Sequence, residues 1–177
     1  MPTRRQFIKT GIAGGLLLAA AAVFQKQLDR MGKQALVAGN PLDPSLRTVV
    51  QAVAPVILQG VFPVADPDRA VALERITKGV ALAVGALSAA SQKEVSELFA
   101  LLAFAPTRIA VAGVSASWEQ ASVADIEKFL RTWQESGVDL LKSGYQALHD
   151  LVFGAWYADP ANWAAIGYAG PPSLVQS

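Results

Sequence analysis

Few side chains in this sequence could act as an acid, base or nucleophile near neutral pH. The first to weigh is the single histidine, His149. It lies in Leu148-His149-Asp150 on a helical pattern, with Tyr145 and Phe153 one turn away on either side. Sequence neighbours on a helix point to different faces, so Asp150 is not expected to meet the imidazole. No nucleophile stands at i±3 or i±4, and His149 reads as a packing or solvent-facing residue. Asp66 and Asp68 have the spacing of a carboxylate pair, but Asp66 before Pro67 is explained as a helix N-cap. Ser115 and Ser117 have no base nearby. The absence of cysteine excludes disulfides, iron–sulfur ligation and haem attachment through Cys-x-x-Cys-His. A lone histidine does not supply the clustered ligands of a zinc site. Neither G-x-G-x-x-G nor G-x-x-x-x-G-K-[ST] occurs. The chain is therefore expected to hold no catalytic group, cofactor or metal of its own.

The elements that carry these residues read as helices throughout. Residues 25–37 form a short, modestly amphipathic helix, and Gly39-Asn40-Pro41 breaks it. Residues 45–60 carry Leu46, Val49, Val50, Val53 and Ile57 at helical spacing, with Pro55 expected to kink or divide the helix. A long helix over 69–89 shows Val71, Leu73, Ile76, Val80, Leu82, Val84 and Leu87. Its uncharged second half, residues 79–90, is too short to cross a membrane and predicts a central core helix. Ser91 with Glu94 is a capping box opening the next helix, which Pro106 ends. Residues 107–117 lack a clear period and read as a loop or a short buried helix. Ser122 and Asp125 cap a helix bearing Ile126, Phe129, Leu130 and Trp133, with Glu127–Arg131 as an i,i+4 pair. After Gly137, residues 138–157 place Leu140, Leu141, Tyr145, Leu148, Val152, Phe153 and Trp156 inward. No segment shows strand alternation. The expected fold is all-α, a single bundle-like domain of five or six helices over residues 41–177.

Residues 1–40 read differently. Thr3-Arg4-Arg5-Gln6-Phe7-Ile8-Lys9 precedes the apolar run 11–24, the order of a secretory leader. The paired arginines, with Phe7 and Lys9, make it a twin-arginine export signal addressed to the Tat translocon. The run is shorter than the roughly 20 residues of a spanning helix; cleavage and retention as an anchor both remain open. Residues 1–40 hold six Lys/Arg against Asp29 alone, whereas the remainder holds nine Lys/Arg against thirteen Asp/Glu. A mildly acidic body argues against nucleic acid as a partner. The Tat route carries folded proteins, often with a cofactor, and this chain offers no cofactor site. The mismatch is resolved if the cofactor belongs to a leaderless partner that travels bound to it.

The C-terminal stretch is the second informative one. Trp156, Tyr157, Trp163 and Tyr168 fall within thirteen residues, interleaved with Asp159-Pro160, Gly167 and Gly170-Pro171-Pro172. Asp159 is expected to N-cap a short helix that Gly167 closes, and the Gly-Pro-Pro run to be extended. Amphipathic aromatics of this kind either pin a terminus onto the bundle or face a partner.

The leader, the all-α body and the tail pattern W-Y-x-D-P-x-x-W-x-x-I-G-Y-x-G-P-P together resemble the gluconate 2-dehydrogenase subunit 3 family. These are small subunits of membrane-associated flavin dehydrogenases, including those paired with GMC-type alcohol dehydrogenases. The likeness is greatest over residues 129–172. Many members carry a Gly-rich insertion after the Asp-Pro; here only Ala161-Asn162 separates Pro160 from Trp163, which favours the alcohol dehydrogenase branch. The resemblance implies a subunit without flavin that escorts a large FAD subunit through the Tat system to the periplasmic side of the inner membrane. It also implies that the subunit is required there for the partner's activity, with electrons passing to a quinone or cytochrome. The tail residues Trp156, Tyr157, Asp159, Pro160, Trp163, Gly167, Tyr168, Gly170 and Pro171 would then form the partner interface. The competing classes are a free-standing helical binding module for a lipid or long-chain alcohol, and an enzyme in its own right. On the leader reading, Arg4→Lys with Arg5→Lys should leave this chain and its flavoprotein partner in the cytoplasm. Fractionation that finds either in the periplasm would contradict the shared-export idea.

Overall fold

The computed structural model describes residues 43–163 and Gly167. Six α-helices make up this region: α1 Pro44–Ile57, α2 Asp68–Gly85, α3 Ala89–Ala103, the single turn α4 Ala105–Thr107, α5 Val123–Gln134 and α6 Asp139–Ala158. A π-helical turn, Arg108–Ala112, follows α4, and a 3-10 turn, Pro160–Asn162, follows α6. The described residues contain no strand, as the periodicity predicts. The leader residues Arg4, Arg5, Phe7 and Lys9 and the short helix expected at 25–37 lie outside the described residues.

The core is organised around α1, which packs against α2, α3, α5 and α6. Val49, Val50, Val53 and Ala54 are fully buried on it, an apolar surface wide enough to meet neighbours on several sides. Each such branched side chain contributes on the order of 1.5–3 kcal/mol when removed from water. Asp43 caps the helix by accepting from Ser45 N at 2.9 Å. Pro55 does not divide it. The proline forgoes the bond to Gln51 O, but it sits in the last turn, with only Val56 and Ile57 of the helix beyond it. Arg47, the one charge on α1, donates to Glu74 of α2 at 2.9 Å. That hydrogen bond holds the Glu74 carboxyl below its ordinary range, helped by the Arg47 and Lys78 charges. The pair's small contribution is present above the usual carboxylate range and fades as pH falls through the lowered value.

Uncharged residues 79–90 are not a central core helix. Leu82 is 73 % exposed, and the stretch from Gly85 to Ala90 forms the surface end of α2, the link and the start of α3. The absence of charge there reflects small residues rather than burial. On α2 the inward positions are Ala72, Ile76, Thr77 and Val80, while Val71 and Leu82 share the outer face. Thr77 is buried with its hydroxyl on Leu73 O at 2.6 Å, an i−4 bond that satisfies it within the helix.

Two caps fall elsewhere than the spacing suggests. The Ser91–Glu94 box is not used; Ser88 caps α3 by accepting from Ser91 N at 3.2 Å. Gln92 reaches back to the carbonyls of Gly85 and Leu87, closing the end of α2 and pre-empting the register that Ser91 would need. Asp66 does not cap α2 either. The helix starts at Asp68, two residues further on, with Pro67 at the cap position and no side-chain cap bond. Ser122 behaves as expected, accepting from Asp125 N and donating to its carboxylate at 2.7 Å. Glu127 and Arg131 make no ion pair among the described residues; the i,i+4 pairs seen are Glu74–Lys78 and Lys93–Glu97.

Pro106 ends α3 as expected, and the chain turns by 81° into residues 105–112. Thr107 Oγ1 sits against the carbonyl oxygen of Leu101, in the last turn of α3, and that of Phe104, which also accepts from Arg108 N at 2.9 Å. Arg108 is buried with Nε donating to Val114 O at 3.3 Å. Gly113, at φ 70°, closes the turn in the left-handed region that excludes most other residues. Among the described residues no single helix is long and apolar enough to cross a membrane.

Helix α6 approaches its neighbours closely at two points. A Cβ on Gly144 would stand 2.6 Å from the Trp133 ring of α5, and one on Gly79 would meet Ala155 Cβ at 3.0 Å. The buried stripe of α6 is Gly144, Leu148, Val152, Ala155 and Trp156. Leu140, expected inward, is 78 % exposed because it sits about 100° off that stripe; Leu141 takes the position instead. Gly144→Ala should therefore cost about 1–3 kcal/mol through overpacking. Gly154→Ala, on an open helical face, should stabilise by about 0.5–1 kcal/mol. Urea unfolding of both variants checks the contrast, and a neutral Gly144→Ala would contradict the close contact.

Candidate functional site

The end of α6 and the first turns of α2 enclose a cleft of about 210 Å³. Its walls come from helical spacing. Asp68, Val71, Ala72, Arg75 and Ile76 recur at three- and four-residue intervals along one side of α2. From α6 come Ala155, Trp156 and, just past its end, Asp159; Pro63 and Asn162 close the ends. Gly79 against Ala155 sets how near the two helices come, one turn beyond the cleft.

Trp156 is the unusual member. It is 3 % exposed, packed on Phe62 at 5.5 Å between ring centroids, and so belongs to the core. Its indole N–H is buried and has no acceptor among the described residues. The other buried tryptophans differ: Trp118 donates to Leu102 O at 2.8 Å and Trp133 to Val111 O at 3.0 Å. Buried indoles ordinarily find such a partner, because an orphaned donor costs about 1–3 kcal/mol. Around it, Asn162 Nδ2 donates to Trp156 O at 2.9 Å, which ties the 3-10 turn to the helix end. Asp159 caps that turn, accepting from Ala161 N at 3.0 Å, with Pro160 in its first position, as the sequence predicts. The second Asp159 oxygen is 4.0 Å from Arg75, a loose pair at the surface.

Of the tail residues singled out from sequence, the structure thus gathers Trp156 and Asp159 at the cleft. Tyr157 lies on the outer face of α6, 38 % exposed, and Trp163 is half-buried with Nε1 donating to Tyr157 O at 2.8 Å. Gly167 has φ 69°, the left-handed conformation expected of a closing glycine. The 3-10 turn itself already ends at Asn162, earlier than the helix expected to reach Gly167. Tyr168, Gly170 and Pro171 lie outside the described residues. Sequence reasoning missed Arg75 and the whole α2 wall. The available signal was the Asp68–Arg75 spacing of two turns, masked by reading α2 only for its larger apolar residues.

The other titratable residues stay apart from this cleft. His149 stacks on Phe153 at 4.2 Å and lies near Tyr145, one of four rings (with Tyr157) running along α6 at i,i+4 intervals. Contrary to the helical-face argument, its Nδ1 does meet Asp150 Oδ1, at 3.2 Å, because both side chains are long enough to bend toward each other at the surface. Gln146 shares the same carboxylate oxygen at 2.8 Å. No hydroxyl hydrogen-bonds the imidazole among the described residues, so the pair lacks a nucleophile to activate. Asp66 and Ser115 are exposed, and neither hydrogen-bonds a base among the described residues. No cluster of three or more metal-ligating side chains occurs among the described residues.

Comparison of the chain with protein-family models, with curated proteins and with solved structures yields no match.

The three indoles make a stability test of the site. Trp118→Phe and Trp133→Phe each strand a core carbonyl as well as losing ring volume, whereas Trp156→Phe removes a donor that has no acceptor. In urea unfolding, Trp156→Phe should be less destabilising than either by about 1–2 kcal/mol. Equal losses at all three would mean that Trp156 N–H is satisfied in solution.

Proposed function

We propose that this chain is a noncatalytic small subunit of a membrane-associated FAD-dependent alcohol dehydrogenase. On this reading it carries the leaderless GMC-type flavoprotein through the Tat system to the periplasmic side of the inner membrane and supports its activity there. FAD belongs to the partner, and electrons leave through it to a quinone or cytochrome. The observation that carries the reading is a buried, unpaired Trp156 N–H beside an open cleft, at the end of the helix that leads into the aromatic tail. A fold that satisfies Trp118 and Trp133 internally, yet leaves Trp156 unpaired, has a reason for it if a second chain supplies the acceptor. Tyr157, exposed on the outer face of α6, and Trp163, bonded to its carbonyl, supply aromatic surface of the kind interfaces favour.

The free-standing binding module is the weaker alternative. A cleft of about 210 Å³ falls short of the roughly 300–1,000 Å³ typical of small-molecule sites. It is also edged by three charged side chains, which suits a long apolar ligand poorly.

Tyr157→Ala and Trp163→Ala should each weaken association with the flavoprotein by about 2 kcal/mol. The check is the amount of flavin retained when each variant is purified from native membranes. Retention equal to the unsubstituted chain in both would remove this end of α6 from the interface.

A further inference from the structure

We infer that the α2–α6 cleft is a notch for one main-chain peptide group of an extended segment of the partner chain, with that segment's carbonyl oxygen accepting from Trp156 Nε1. The inference rests on the subunit reading for the source of the segment, and on the cleft alone for its chemistry.

Size sets the first limit. A volume of about 210 Å³ corresponds to about seven waters at roughly 30 Å³ each. That admits a peptide group and a small side chain, not a flavin or another drug-sized molecule. Charge sets the second. The lining holds Arg75 together with Asp68 and Asp159, so it carries a net charge of about −1 and disfavours a carboxylate or phosphate. A peptide group is neutral and bears both an acceptor and a donor. Its C=O meets the buried side-chain donor left unpaired among the described residues, and its N–H has the Asp68 carboxylate within the same lining. Val71, half exposed at the rim, and Pro63 give the side chain of that residue an apolar seat.

The indole nitrogen has no exposed area of its own. The acceptor therefore reaches it only as side chains of the lining move aside. Docking replaces an orphaned donor by a hydrogen-bonded one, so the free chain's unfavourable group becomes a favourable contact in the complex.

The test uses the full-length chain labelled with nitrogen-15, in which Trp156→Phe assigns the Trp156 indole signal by its loss. The probe is N-acetyl-L-valine N-methylamide, a neutral one-residue peptide mimic, with acetate at equal concentration as its charged counterpart. A saturable shift of the Trp156 signal with the mimic alone is expected, with Trp118 and Trp133 unmoved. Val71→Phe, which narrows the rim at an exposed position, should weaken that response at least tenfold. No movement up to the solubility limit of the mimic would overturn the inference, as would an equal response to acetate. Contacts between the Trp156 indole proton and protons beyond Trp163 would also overturn it, by giving the notch to the chain's own tail. In parallel, the tagged chain and its Val71→Phe form are purified from native membranes. Flavoprotein retained by the first and reduced at least tenfold with the second is expected. Equal retention removes the notch as the partner's seat while leaving the subunit reading intact. Flavoprotein with neither removes the subunit reading and the source of the segment, whatever the mimic shows.

Discussion

The close approach of α6 to its neighbours is the constraint on which the rest of the structure depends. Where Gly144 faces the Trp133 ring and Gly79 faces Ala155, a side chain would separate the helices. Small residues at these points let long helices pack at short range, so the inward face of α2 is built from Ala72, Thr77 and Gly79 between its larger residues. The same closeness brings Trp156 down onto Phe62 and leaves the cleft open where the helices stop touching.

Much of the fold was legible in the sequence because helical burial repeats every three to four residues. The stripes on α1, α5 and the middle of α6 follow directly from Val49–Val53, Ile126–Trp133 and Leu141–Val152. The errors came where size stood in for burial. Val71 and Leu82 are as apolar as Ile76 and Val80, yet they lie on the outer face of α2 while the smaller Ala72 and Thr77 are buried. The uncharged run 79–90 looked like a core throughout, yet past Val80 and Ala81 it lies mostly at the surface. Caps misled for a different reason: several serines and aspartates compete, and tertiary bonds such as Gln92 to Gly85 O decide among them. The site was half legible. Trp156 and Asp159 stood out by type, but Arg75 and Asp68 meet them only through the α2–α6 contact, which no local pattern encodes.

The tryptophans illustrate how one residue type divides between structure and interaction. Trp118 and Trp133 fasten the turn after α3 by donating to Leu102 and Val111 carbonyls, and Phe129 lies between them at 5.6 and 4.8 Å. Trp163 fastens the chain end to Tyr157 O. Trp156 gives its ring to the core and keeps its donor unspent, an arrangement that suits an assembly better than a monomer. The leader pattern in the sequence and the buried Trp156 donor without an acceptor among the described residues are separate observations, and the proposed second chain would account for both.

The most direct measurement is the absorption spectrum and mass of what accompanies the tagged, full-length chain out of native membrane and periplasmic fractions. The account predicts a larger protein bound at a fixed ratio and carrying the spectrum of an oxidised flavin that bleaches when an alcohol substrate is added. A colourless chain that elutes as a stable monomer would contradict it.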